Sequence, residues 1–296
     1  MSLEKSPIYY IGEDGEFIIE NYNQAKTFSS FLPAVSGLYG KPMWVFYVNR
    51  GQCIATIGIK NKDYSIMEFM PANKAYRQTS LQGFRTFFKI RDSKKTVCYE
   101  AFQHNYSSGK AYDVSQNMHI TSYDLKLEEI NRTLGIKTEV MFCTLPGETF
   151  ASLIRRVCIT NISEKSFEIE VIDGLPIIIP YYLTNNDMKN ESNLRQAWMS
   201  VENYKTVPFY KIKVLPCDTP ETLYVEGGNF YLNFDFNTGG KIGFSKVIIE
   251  PSVVFGNVTD LIYPENFFEE KFSIPEKQVN AGITPCGFGY KKITLG

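Results

Sequence analysis

Two histidines, His104 and His119, are the whole imidazole supply of the chain, so chemistry that leans on histidine has little to draw on. Neither has another His or a Cys at ligand spacing, and the spacing supports neither a zinc site nor a Ser-His-Asp triad. Cys53, Cys98, Cys143, Cys158, Cys217 and Cys286 are scattered singly, without the close pairs of a metal or redox motif, and read as buried free thiols. Carboxylates are plentiful, but glycosidic acid–base partners need not be close in sequence, so no pair is singled out. Gly37-Leu38-Tyr39-Gly40 and Thr238-Gly239-Gly240-Lys241 lack the strand–loop–helix setting of a phosphate cradle and read as turns. No catalytic residue, metal ligand or cofactor is assigned from the residues.

The densest chemistry is an aromatic and polar cluster, Trp44, Tyr47, Arg50, Tyr76 and Arg77. Aromatic faces stack on sugar rings while guanidinium and amide groups bond hydroxyls, so these five are the candidate carbohydrate-binding residues. Asn49-Arg50-Gly51 reads as a hairpin tip, where ligands commonly meet a β fold. The competing reading is structural: Trp44, Phe46 and Val48 form a buried face, with Tyr47 and Arg50 packed at its rim.

Period-two alternation supplies the elements that would position this cluster. An opening hairpin joins Ile8–Ile11 to residues 17–19 through Gly12-Glu13-Asp14-Gly15. A second joins 43–48 to 53–59 through Asn49-Arg50-Gly51-Gln52. Further strands are expected at 65–70, 84–90, 96–102, 118–127, 136–145, 154–160 and 167–172, then at 204–215, 222–225, 230–236 and 246–255. In 167–172, Phe167, Ile169 and Val171 alternate with Glu168 and Glu170, as antiparallel sheets with one wet face require. A short helix or ordered loop is expected in 184–202, and helix content below about 15%. Residues 264–296, with Pro264, Pro275, Gly282 and Pro285, read as a turn-rich tail or domain junction.

Composition agrees with sheet: 44% of residues are apolar and 15% aromatic, with 22 Phe and 19 Tyr. The fold class is therefore all-β, a large antiparallel β-sandwich with few short helices, filling residues 1–296 as a single domain. Thirty-one basic residues against 32 acidic ones leave a net charge of −1, so no broad field attracts nucleic acid or anionic lipid. The opening residues lack a signal-peptide core and no apolar run is long enough to span a bilayer, so a cytoplasmic protein with no membrane contact is expected. The Asn-x-Ser/Thr triplets at Asn105, Asn131, Asn161 and Asn257 then read as chance matches.

Three stretches resemble a known family. They are Phe28-Ser-Ser-Phe-Leu-Pro-Ala-Val-Ser-Gly-Leu-Tyr-Gly-Lys-Pro-Met-Trp-Val-Phe-Tyr-Val-Asn-Arg-Gly-Gln, Met67-Glu-Phe-Met-Pro-Ala-Asn-Lys-Ala-Tyr, and Arg156-Val-Cys-Ile-Thr-Asn-Ile-Ser. Together they resemble the amino-terminal region of glycoside hydrolase family ninety-four phosphorylases, those labelled cellobiose phosphorylase and particularly the 1,2-β-oligoglucan phosphorylase type. The resemblance implies a supersandwich of the galactose-mutarotase kind, joined in the parent enzyme by a helical linker to an (α/α)6 barrel. There phosphate attacks the anomeric carbon of a β-glucan oligosaccharide with inversion, giving α-glucose 1-phosphate, and a barrel carboxylic acid protonates the leaving oxygen. Nothing in these 296 residues reads as a helical barrel. The implied role is thus a non-catalytic domain, meeting inorganic phosphate only through the catalytic domain, with a homodimer possible in the parent. Two alternatives stay open: an independent carbohydrate-binding or assembly module, and an aldose-epimerase-like enzyme, whose family uses paired histidines and a glutamate.

Overall fold

The computed structural model describes residues 6–92, 95–103, 112–215, 219–236 and 242–296. Its first half contains β1 (Ile8–Ile11), β2 (Phe17–Glu20), β3 (Ser29–Leu32), β4 (Trp44–Val48), β5 (Ile54–Gly58), α1 (Ala72–Gln82), β6 (Arg85–Asp92), β7 (Lys95–Glu100), β8 (Val114–Ile120) and β9 (Asp124–Asn131). The chain continues through β10 (Ile136–Thr144), β11 (Leu153–Asn161), β12 (Phe167–Leu175), α2 (Asn185–Asn190), α3 (Ser192–Gln196), β13 (Met199–Glu202), β14 (Phe209–Ile212) and β15 (Asn229–Phe230). It closes with β16 (Phe234–Phe236), β17 (Ile242–Phe244), β18 (Val247–Ile248), α4 (Pro251–Phe255), α5 (Glu265–Phe268) and β19 (Gly287–Leu295). With 39% strand against 14% helix, the chain is of the all-β class with few short helices.

Two sheets dominate. One has six strands in the order β1-β2-β8-β9-β10-β11, and the other five in the order β18-β19-β12-β6-β7; every pairing is antiparallel. Alternation decides what each sheet buries. Leu125 and Leu127 on β9 and Val140 and Phe142 on β10 enter one apolar cluster, shared with Phe88 and Ile90 of β6 and Ile169 and Val171 of β12. The opposite face of the five-stranded sheet, carrying Phe87, Ile172 and Phe288, is covered by Val254 and Phe255 of α4 and Phe267 of α5. The sheet is covered on both faces, so the wet face expected of 167–172 is not there: Glu170 is 3% exposed and paired with the buried Lys89, while Phe87 and Phe88 fill opposite faces of β6. The three-stranded sheet β3-β4-β5 carries the resembling segment, and α1 packs on β4 and β5.

Several elements differ from the sequence reading. The 118–127 segment is a hairpin, because the Asp124 amide donates to Thr121 Oγ1 at 3.0 Å and turns the chain between β8 and β9. The strand expected at 65–70 is reduced to a single bridge between Ser65 and Gly58, and α1 follows from Pro71. The 246–255 segment splits into β18 and α4, with Pro251 opening the helix. The turn-rich reading of 264–296 missed β19, which lies between β18 and β12. Its glycines hid it: a Cβ on Gly289 would sit 1.5 Å from Asn233 Nδ2, and one on Gly287 2.6 Å from Ile178 Cδ1. Those glycines mark close side-chain cover, not turns.

Candidate functional site

The five candidate sugar-binding residues fall into separate surroundings. Trp44 is half-buried on β4, its ring edge-on to Phe69 with centroids 6.1 Å apart. Gly58 allows that position, since a Cβ there would lie 2.6 Å from Trp44 Cζ2. Tyr47 is 4% exposed, and burial raises its phenol pKa. The register shift between Phe46 and Tyr47 leaves Ala55 of β5 unpaired, and on β4 Val45, Tyr47 and Val48 take the core places. Neither the sugar-facing Tyr47 nor the rim Tyr47 of the structural reading is what the fold contains. Tyr76 and Arg77 ride on α1, half-buried and exposed respectively.

Arg50 belongs to a clasp. Asn49 is fully buried, and its Nδ2 donates to the carbonyls of Tyr22 (3.3 Å), Ala25 (3.4 Å) and Lys26 (3.1 Å). Its Oδ1 accepts from the Phe28 amide at 3.0 Å. Arg50 Nη2 donates to the Ala25 carbonyl at 3.0 Å, and the Tyr22 hydroxyl to the Gly51 carbonyl at 2.6 Å. The expected solvent-facing tip is a knot that fastens residues 21–28, where buried backbone carbonyls require donors.

Sequence reasoning missed a second constellation. Arg155 on β11 is 7% exposed at its side chain and stacks over Phe84 (4.9 Å) and Phe142 (5.7 Å). Its guanidinium donates to Asp173 Oδ2 on β12, to Gln52 Oε1 and, at 3.2 Å, to Thr86 Oγ1 on β6. Thr86 in turn donates to Asp173 Oδ1 at 2.6 Å. This guanidinium–carboxylate pair holds two sheets together through the two Nη atoms, while Arg155 Nε is buried without a partner. The signal was an arginine at an inward position of an apolar strand, next to the Arg156 that opens the third resembling stretch.

Buried ionisable groups cluster elsewhere too. Glu129, 1% exposed on β9, accepts from the Tyr99 hydroxyl (2.8 Å), the Gln116 amide (2.7 Å) and the Phe102 backbone N–H (2.6 Å). Desolvation pushes its pKa up to about 7, against the pull of those neutral donors. On β6, Arg85, Lys89 and Arg91 point to the α4–α5 side. Lys89 Nζ donates to the Phe267 carbonyl (2.9 Å) and the Glu269 carbonyl (2.8 Å) and lies 3.2 Å from Glu170 Oε2. His119 is partly buried, 3.8 Å from Glu16, and desolvation lowers its pKa. His104 lies outside the described residues.

A cleft of about 640 Å³ opens between the 205–207 loop, the β17–β18 connection and Glu276. Its walls include Lys205, Thr206, Phe244, Ser245 and Lys246. Phe244 is 71% exposed, and its ring meets Phe234 at 6.3 Å. Lys246 Nζ is held by the Pro275 carbonyl at 2.7 Å. An open aromatic face beside hydroxyls, ammonium groups and one carboxylate suits a polyhydroxylated ring. The lining carries a single carboxylate, where glycosidic cleavage by paired carboxyl groups needs two. Among the described residues no three His, Cys, Asp or Glu side chains gather to hold a metal ion, and no helix is long and apolar enough to cross a membrane.

No protein-family model matches the chain, and no curated protein matches it.

Proposed function

We propose that the chain is the non-catalytic, amino-terminal β-sandwich domain of an inverting glycoside phosphorylase acting on β-glucosides. One observation carries this reading: the strand and clasp residues of the first resembling stretch build the fold, while its Leu38 and Tyr39 stay exposed. Tyr47 is core, Asn49 and Arg50 close the clasp on residues 21–28, and Thr56 Oγ1, on the strand that follows the first resembling stretch, donates at 2.7 Å to the carbonyl of Met67, where the second begins. A segment kept for architecture is what a supporting domain contributes, with the acid and the phosphate site supplied by a separate barrel. The apolar cluster shared by the two large sheets supports the finer reading of a galactose-mutarotase-like sandwich. Sequencing the natural coding region tests the proposal. An open frame running several hundred residues past Gly296 through a series of amphipathic helices is the expected result, and a stop codon at that point would contradict it.

The cleft beside Phe244 favours a second reading, a carbohydrate-binding module. On that reading β-linked gluco-oligosaccharides at millimolar concentration shift the amide resonances of Thr206, Phe244 and Ser245, and Phe244→Ala abolishes the shifts at unchanged melting temperature. An unaltered spectrum up to tens of millimolar, on the order of −3 kcal/mol or weaker, removes it.

A further inference from the structure

We propose that the cleft beside Phe244 takes an anionic monosaccharide, a hexose bearing one phosphate or carboxylate group, with the negative group at Lys205 and Lys246 and the ring over Phe244. The inference rests on the carbohydrate reading of this cleft and stands whether or not the chain belongs to a phosphorylase. At about 640 Å³ the cleft has the size of a small-molecule site. Residues 205–207, residues 244–246 and Glu276 bring its walls together from distant parts of the chain. The first of these is set by a turn that the Thr206 amide closes on the Asn203 carbonyl at 3.0 Å.

Charge selects the anion. Two ammonium groups and one carboxylate line the cleft, a positive excess on a chain whose net charge is −1. Carboxylates beside the cleft are committed elsewhere: Glu202, just before the 205–207 loop, lies 3.1 Å from Lys211, and Asp235 on β16 is paired with Lys291. Among the described residues, neither Lys205 nor Lys246 has a carboxylate at ion-pair distance. Lys246 is instead fixed by a neutral acceptor, the Pro275 carbonyl, at 2.7 Å. That bond orients the ammonium while leaving its charge and its other N–H groups uncommitted, the state in which a cation receives an anion best.

The other groups select a sugar. Thr206 Oγ1 donates to the Asn203 carbonyl at 3.3 Å and Ser245 Oγ to Asp235 Oδ1 at 3.4 Å, so both oxygens keep lone pairs to accept with. Glu276 accepts only. Acceptors repel an anion and take O–H donors, which a hexose carries in number. Donors at the two lysines and acceptors elsewhere thus divide the ligand into a negative end and a hydroxylated one. Phe244 is 71% exposed and backed by Phe234 at 6.3 Å, and the apolar C–H face of a sugar ring covers such a surface.

Titration of the full chain at low salt with glucose, glucuronate, glucose 6-phosphate, inorganic phosphate and adenosine monophosphate tests the proposal, read by the amide resonances of Thr206, Phe244, Ser245 and Lys246. At least one anionic sugar is expected to bind about tenfold or more tighter than glucose, an advantage that shrinks as salt is raised, and the tighter of the two assigns the group. Lys205→Gln is expected to erase most of that advantage and leave glucose binding as it was. Phe244→Ala is expected to weaken every sugar, both variants keeping the wild-type melting temperature. Glucose binding as tightly as both anionic sugars overturns the proposal and spares the carbohydrate reading, whereas silence toward every sugar overturns both. Inorganic phosphate or adenosine monophosphate binding as tightly as the better anionic sugar also overturns the proposal, because the cleft would then read a bare anion or a flat base.

Discussion

Glu129 sets a pH-dependent cost on folding whose size follows from its surroundings. Its three partners are neutral donors, Glu100 adds like charge, and burial raises its pKa from 4.5 to about 7. A carboxyl held above its unfolded value binds its proton more tightly in the folded state, so stability falls as pH rises from about 4.5 to about 7 and levels off above that. At roughly 1.4 kcal/mol for each pH unit between those two values, the full penalty is about 3 kcal/mol, and most of it develops between about pH 5 and about pH 8. Glu129→Gln keeps the shape and cannot ionise, and its amide can donate to the Tyr99 oxygen while Oε1 accepts from Phe102. Urea unfolding of both proteins at pH 5 and pH 8 reads the effect. The variant is expected to gain about 2–3 kcal/mol relative to wild type on going from pH 5 to pH 8. A difference between the two proteins that is the same at both pH values would refute the reasoning, because Glu129 would then share one protonation state in the folded and unfolded chains.

Two further substitutions probe the internal fastenings. Lys89→Ala leaves the buried Glu170 and the carbonyls of Phe267 and Glu269 without their ammonium; a loss of about 3–5 kcal/mol is expected, with faster amide exchange across residues 261–272 than in the six-stranded sheet. Asn49→Ala removes a donor from each of three carbonyls of the 22–26 segment and the acceptor of the Phe28 amide and is expected to cost about 3 kcal/mol in chemical denaturation, whereas a change under about 1 kcal/mol would mean the clasp is not what holds that segment.

What was legible in the sequence was local. The Ile8–Ile11 hairpin showed through its Gly-rich turn, and β10, β11 and β12 through alternation over much of their length, because sheet faces imprint period two directly. Tyr47 was misplaced because period two in the Trp44–Val48 strand does not say which face is buried: Val45 and Tyr47 point inward, where Trp44 and Phe46 had been expected to. β19 was hidden because Gly287 and Gly289 serve close packing by Ile178 and Asn233, residues far away along the chain. The cleft was illegible for the same reason: Lys205, Phe244 and Glu276 come together only through the fold. Arg155 was not singled out because its partners Asp173 and Thr86 stand on β12 and β6, distant along the chain.

The central claim is that this chain supports catalysis without performing it. The most direct measurement is phosphate-dependent release of α-glucose 1-phosphate by the purified chain from β-linked gluco-oligosaccharides, followed over hours against an enzyme-free control. The account predicts release indistinguishable from the control at every chain length. Turnover that requires phosphate and scales with protein concentration would contradict it, and would place a general acid among these residues.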